Sequence, residues 1–474
     1  MSNTNEIIVG LDIGTTKIAC FIGQRSESGK VKILGYSKTE SAGVDKGIVI
    51  NVLDTSNSIK QAVKEASDRA DVEVESVYVG VAGQHIRSSR NQGTVMIPTD
   101  HRLIQEDDLR KLIDTQYHTL LRPGEEIIHV LPQNYIIDGQ ELSTEISPVG
   151  VPGHELRANF HVVTGNTTNL EAIRESIKLA GLKVDGVILE PVASSYAVLD
   201  DSDRNVGIAL VDIGGGTTDI AIFTDNIIRH TSVLPLAGGV ITNDIKESCQ
   251  VMKNQAEALK TRFGNCLPQM VSENDYISIP VFKSHTPKEI NMKTLASIIS
   301  SRTKMILEQV DYEIKISEYG KQLIGGVVLT GGGSQLTNIK ELASYTLGIE
   351  SRIGDPTIHL ELENREELAN GMYSTGIGLV LYGIEQSEYR RAHEPEPEPE
   401  PEPMPDPIAP FPVNPEPEEE KKPRRRGVLF GGRGNKDKEK NEKKESSEKG
   451  SGFISSVNDY LVKMFLENGN EKED

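Results

Sequence analysis

At 474 residues the chain is long enough for two or more domains with ample core. Its formal net charge of −20 argues against non-specific nucleic-acid binding, and the three dispersed cysteines, Cys20, Cys249 and Cys266, suit neither a zinc site nor a disulfide framework. The polar N-terminus predicts no secretory signal and no window approaches the roughly 20 apolar residues of a membrane span, so a reduced, cytoplasmic protein is expected.

Val9–Ile22 opens the chain as two apolar runs around a Gly/Thr turn, and Lys30–Lys38 continues as a strand. Helical spacing over Leu53–Ala70 and a strand at Glu75–Val81 complete a β-β-β-α-β order, which fits half of a duplicated ribonuclease-H-like α/β fold. The pattern then changes. Strand-like Gly93–Ile97, a polar helix over Gln105–Leu120 and strands Glu126–Ile137 and Leu156–Val163 predict a small α+β module inserted at 84–163. Helix Asn169–Ala180, strand Val184–Leu189 and helix Pro191–Leu199 follow. After a second glycine hairpin, Val233–Gly239 leads into helices Val240–Cys249 and Asn254–Arg262. Asp275–Val281 and Glu289–Met292 read as strand pieces, and Leu295–Ile316 as a long helix. Gly325–Thr330 is an apolar strand feeding three glycines and a helix over Leu336–Leu347; Tyr373–Tyr382 is the last apolar helix of the core.

The predicted units are a first lobe (1–83 and 164–205) around the insert, and a second lobe (206–239 and 302–370) around a subdomain at 240–301. A return helix at 371–386, a linker at 387–452 and a terminal helix at 453–467 complete the chain. Residues 394–420 carry ten acids and no bases, alternating with proline, a composition that cannot bury enough surface to fold. Residues 421–449 reverse the sign, with twelve Lys/Arg against five Asp/Glu. Phe453–Leu466 then places Phe453, Ile454, Val457, Tyr460, Leu461, Met464 and Phe465 on one face of an amphipathic helix. At about 21 Å it is too short to cross the roughly 30 Å hydrocarbon layer, so it would lie in the interface. A basic approach segment favours lipid over a partner's groove, and weak helices of this kind favour an oligomer.

The chain is organised around Leu210–Phe223, Leu-Val-Asp-Ile-Gly-Gly-Gly-Thr-Thr-Asp-Ile-Ala-Ile-Phe, whose turn is too glycine-rich for reversal alone. Bare backbone N–H groups there can form a nest for phosphate, and Asp212 at the strand end would serve a magnesium ion through water. The first hairpin echoes it about 200 residues earlier: Asp12 falls on Asp212 and Gly14 on Gly214, with the paired threonines following after two extra glycines in the later copy. Two such hairpins facing each other would clamp a triphosphate, with Asp12 and Asp212 at the metal and Lys17 adding a fixed positive charge. A glycine-rich turn at a sheet edge explains either copy alone, but not both.

Three lesser features have bland readings too. Gly331, Gly332 and Gly333 suit plain βα packing or the approach of a base or ribose. Glu257 and Lys260 stand three apart and read as a surface ion pair. Glu190 is either a carboxylate ordering a water near a terminal phosphate or an acid favoured by a helix start. The ten histidines show no metal spacing.

Together, Ile8–Ile22, Leu210–Phe223, Leu234–Ile245 and Val328–Ile339 resemble the superfamily of actin, the heat-shock chaperone ATPases and the sugar kinases. Within it, the chain is similar to the FtsA-like bacterial cell-division family over about residues 6–385 and the terminal helix. The resemblance implies an actin-like two-lobed ATPase fold, with the insert as that family's own subdomain. It implies ATP and magnesium held by Asp12, Gly14, Thr15, Thr16 and Lys17 in the first loop. Asp212, Gly214, Gly215, Gly216, Thr217 and Thr218 form the second loop, with Gly238 and Gly239 at the following helix. Glu257 and Lys260 would bracket the ribose and adenine, and Gly331–Gly333 would form the adenosine loop. Glu190 and Asp212 take the water- and metal-ordering roles. Further implied are head-to-tail self-assembly, capture of the tubulin-like FtsZ through its C-terminal tail at 240–301, other divisome partners, and a place at the inner membrane face of the septum. Membrane anchoring would use the terminal helix. A structural role with at most weak hydrolysis is expected; the alternative is a small-molecule, sugar-type kinase on the same fold.

Overall fold

The computed structural model describes residues 6–98, 102–143, 146–280, 287–361 and 365–393. Most of the linker and the whole terminal helix, with its seven apolar residues, lie outside these.

Two five-stranded sheets carry the molecule, and their layout is the same. In the first, Ile8–Ile13 sits centrally, antiparallel to Lys17–Arg25 and parallel to Ser76–Val81, with Val31–Glu40 and Lys183–Leu189 at the edges. In the second, Ile208–Ile213 is central, antiparallel to Thr218–Thr224 and parallel to Val327–Thr330, with Ile227–Leu234 and Ser351–Ile353 outermost. The central strands are buried at every position, which is why they are apolar except at Gly10, Asp12 and Asp212. Ala209, Val211 and Ile213 face the second lobe's own helices, whereas Ile208 and Leu210 join the cluster shared with the first lobe. Both faces are covered.

That shared cluster is built on two helices between the lobes, Glu190–Val198 and Ser374–His393. The second runs on to His393 rather than ending at 386, and Ser387 and Arg391 there reach back to Glu6 near the chain start.

Other expectations are adjusted by local chemistry. Helix Leu336–Leu347 starts only at Ile339, because Gly332–Gln335 forms a tight 3-10 turn and Asn338 is left-handed at φ 63°. The polar helix of the insert spans Glu106–Tyr117, opened by a Gln105/Asp108 capping box. Strand Arg87–Met96 begins well before Gly93, and strand Ile227–Leu234 lay outside the sequence reading altogether. The insert has its own core, with Leu109, Leu112 and Phe160 buried between one helix and a four-stranded sheet ordered Arg87–Met96, Glu155–Asn166, Glu125–Ile137 and Gln140–Glu141.

Candidate functional site

The two glycine hairpins face each other across one cavity of about 1130 Å³ between the lobes. Each turn is closed by the same bond: Gly14 N–H donates to the Lys17 carbonyl at 3.0 Å, and Gly214 N–H to the Thr217 carbonyl at 2.9 Å. The turns are therefore of equal length, which corrects the expected two-glycine insertion. Gly215 and Gly216 occupy the places of Thr15 and Thr16, Thr217 that of Lys17, and Asp219 that of Ala19.

The glycines have a second use beyond exposing backbone. A Cβ on Gly215 would stand 2.7 Å from Thr16 Cγ2, and one on Gly216 would collide with Thr15 Oγ1. Thr15 in turn accepts from Gly47 N–H at 3.0 Å. The bare tip of one turn thus receives the threonines of the other, so the lobes meet at van der Waals distance.

Of the expected site residues, sixteen of the binding set and Glu190 line the cavity. Thr218 and Gly239 do not. Thr218 Oγ1 donates to the Leu236 carbonyl, and Gly239 N–H is taken by the Gly215 carbonyl at 2.8 Å. The neighbouring Gly238 N–H bonds the Gly214 carbonyl at 3.0 Å, so this helix start braces the turn rather than offering both amides to a ligand. Glu257 and Lys260 do form the ion pair of the bland reading, at 2.8 Å, and line the cavity as well; Lys260 also holds Gly238 O and Thr242 Oγ1. Gly331 is required: its φ is 82°, and a side chain would strike Asp212 Oδ1.

The electrostatics at the cavity floor are lopsided. Lys17 is ion-paired to Asp12. Burial pulls the Lys17 ammonium down, but Asp12, Glu190 and Asp212 outweigh this and leave it above the ordinary lysine value. Asp212 accepts from Ser194 Oγ at 2.7 Å and Thr375 Oγ1 at 3.4 Å; burial still pushes it up to about 6. Burial, with Asp12, Asp219 and Asp212 nearby, holds Glu190 well above the usual carboxylate range. Asp219 is pushed up to about 8 by burial and by Asp212, and its Oδ1 is buried without a partner.

Three acids, Asp12, Glu190 and Asp212, line the cavity around the one ammonium of Lys17, with Asp219 buried behind Asp212, and this excess of negative charge suits a divalent cation. Among the described residues no cluster of three or more His, Cys, Asp or Glu is close enough to hold a metal outright. Contact through water fits that arrangement.

Asp219, Ser194 and Thr375 were missed from sequence. Asp219 had a readable signal, an acid immediately before the apolar run Ile220–Phe223. Ser194 and Thr375 are ordinary helix residues until the fold brings them to Asp212.

A family model described as "Cell division protein FtsA" matches residues 209–378, one described as "SHS2 domain inserted in FTSA" matches 83–164, and one described as "Hsp70 protein" matches 166–227. The cell division protein FtsA of Pseudomonas aeruginosa is 36% identical over 383 residues, covering 81% of this chain and 90% of that protein. The chain belongs to the FtsA family of cell division proteins. The Escherichia coli K12 member is 34% identical over 388 residues, 80% of this chain and 91% of its own. Among solved structures, a PilM–PilN type IV pilus biogenesis complex superposes with a TM-score of 0.56 at 16% identity, over 80% of this chain and 98% of that one. Spiroplasma citri MreB5 bound to ADP gives 0.50 at 13%, over 83% and 100%. These likenesses fix the FtsA-family chain in the actin-like fold. No helix of the described residues is long and apolar enough to cross a membrane.

Proposed function

We propose that this FtsA-family chain binds ATP with magnesium between its lobes, assembles with its own copies, and tethers FtsZ to the cytoplasmic face of the membrane through its terminal helix. The observation that carries the reading is the meeting of the two equal hairpin turns across one cavity, each headed by an aspartate.

In this reading the turn amides at 15–17 and 215–217 cradle the phosphate chain, those of Gly14 and Gly214 being used to close the turns. Asp12 and Asp212 would hold a magnesium ion through water, and that ion would supply positive charge against the phosphates. Lys17, ion-paired to Asp12, adds a fixed positive charge at the same place. Glu257, Lys260 and Gly331–Gly333 hold the nucleoside end. The ADP carried by MreB5 on the same fold supports a nucleotide as the occupant. Glu190, whose affinity for a proton is raised by burial and by the neighbouring acids, stands in the cavity wall where it would order a water beside the terminal phosphate.

MgATP titration of Asp12→Ala and Asp212→Ala against wild type tests the cavity: each should lose at least tenfold in affinity, and wild-type binding by both would sink the assignment. The tether is tested by liposome flotation of the full chain and of a chain ending at His393. Only the full chain should float.

A further inference from the structure

Strand Lys183–Leu189 is the edge of the first lobe's sheet, so the N–H of Leu189 has no strand to bond on its outer side. It is also the residue on which helix Glu190–Val198 starts, and that start has no side-chain cap. The inserted subdomain fills the need. His129, buried on strand Glu125–Ile137, accepts the Leu189 N–H at its Nε2, 3.0 Å away. An imidazole can accept there only when neutral with its proton on Nδ1, and burial lowers the His129 pKa to about 4. The next residue along the chain is Glu190, in the cavity wall.

The same subdomain is joined to the opposite lobe. Gln133 Nε2 donates to the Ile228 carbonyl at 2.8 Å, and Arg229 Nη1 returns a bond to the Gln133 carbonyl at 2.7 Å. His161 Nε2 meets Thr231 Oγ1 at 2.9 Å, both buried. The insert therefore grips the edge strand Ile227–Leu234 of the second lobe with one stretch and the root of Glu190 with another.

We infer that His129 is a positioning residue for Glu190, through which the inserted subdomain is coupled to the interlobe cavity. A partner that shifts the insert would be read at the cavity, and a ligand that closes the lobes would be read at the insert. The inference rests on the nucleotide reading of that cavity for its ligand, but not for its geometry.

The test uses the full chain and four variants: His129→Leu, which orphans the Leu189 N–H, His129→Gln, whose amide oxygen can accept it, Glu190→Ala, and His129→Leu with Glu190→Ala. Hydrogen exchange of the apo proteins should rise at least tenfold in the segment 186–192 for His129→Leu and return toward wild type for His129→Gln. MgATP affinity should fall about tenfold for His129→Leu in the wild-type background, yet less than twofold when Glu190 is already alanine. Equal losses in both backgrounds would overturn the inference, since His129 would then act independently of Glu190. So would unchanged exchange at 186–192. Failure of wild type to bind MgATP would instead remove the nucleotide reading, with the exchange result still deciding the role of His129.

Discussion

The two hairpins share length, register and leading aspartate, yet they hold those aspartates differently. Asp12 is met by the ammonium of Lys17 from its own turn, whereas Asp212 is met by the hydroxyls of Ser194 and Thr375 from the helices between the lobes. The first turn carries its countercharge and two threonines; the second carries glycines to receive them and a further acid, Asp219. Duplication supplied one frame twice, and the copies then became complementary. Each completes what the other lacks.

Breaking the first turn should cost most. Lys17→Met leaves Asp12 buried without its cation, and a loss of about 3 kcal/mol is expected in urea unfolding, with added Mg²⁺ restoring part of it. A matched Thr217→Met in the second turn should cost less; equal losses would mean the turns are electrostatically alike. Next, Gly216→Ala forces a methyl against Thr15 and the Lys46 backbone, an overpacking worth about 2 kcal/mol. In a Thr15→Gly background roughly half should be recovered, which differential scanning calorimetry would read.

The third effect concerns the extra acid of the second turn. Asp219 is raised to about 8 in the folded chain from an ordinary 3.8, so the folded state keeps a proton that the unfolded state has released. Folding then binds a proton, and stability falls as pH rises from about 4 to about 8. Asp219→Asn should flatten that slope and leave the protein more stable than wild type at pH 8, as urea unfolding across that range would read; an unchanged or steeper slope in the variant would refute the assignment. Smallest is Ser194→Ala, which removes one of two hydroxyls from Asp212 and should cost about 1 kcal/mol or less, since Thr375 remains.

The fold was largely legible because its signals are local. Apolar strands entering glycine turns, a repeated Asp-Ile-Gly, and helices with clear periodicity needed no knowledge of the partner lobe. What escaped was set by tertiary contact. Strand Ile227–Leu234 carries Arg229, His230 and Thr231, which face the insert and the long helix, and so it lacks the apolar run that marks its neighbours. The matching of Gly215 and Gly216 to Thr15 and Thr16 is invisible to alignment by identity, because the correspondence is steric. At the site, residues inside the glycine motifs were readable, while Ser194 and Thr375 were not, being small polar residues that matter only for their distance from Asp212.

The bonds that Ser387 and Arg391 make to Glu6 place the first and last described elements side by side on the first lobe. Topologically the core is nearly a closed ring. A short peptide bridging those two points, with fresh ends opened in the exposed Asp138–Gly139 reverse turn, should yield a circularly permuted chain that folds to the same shape.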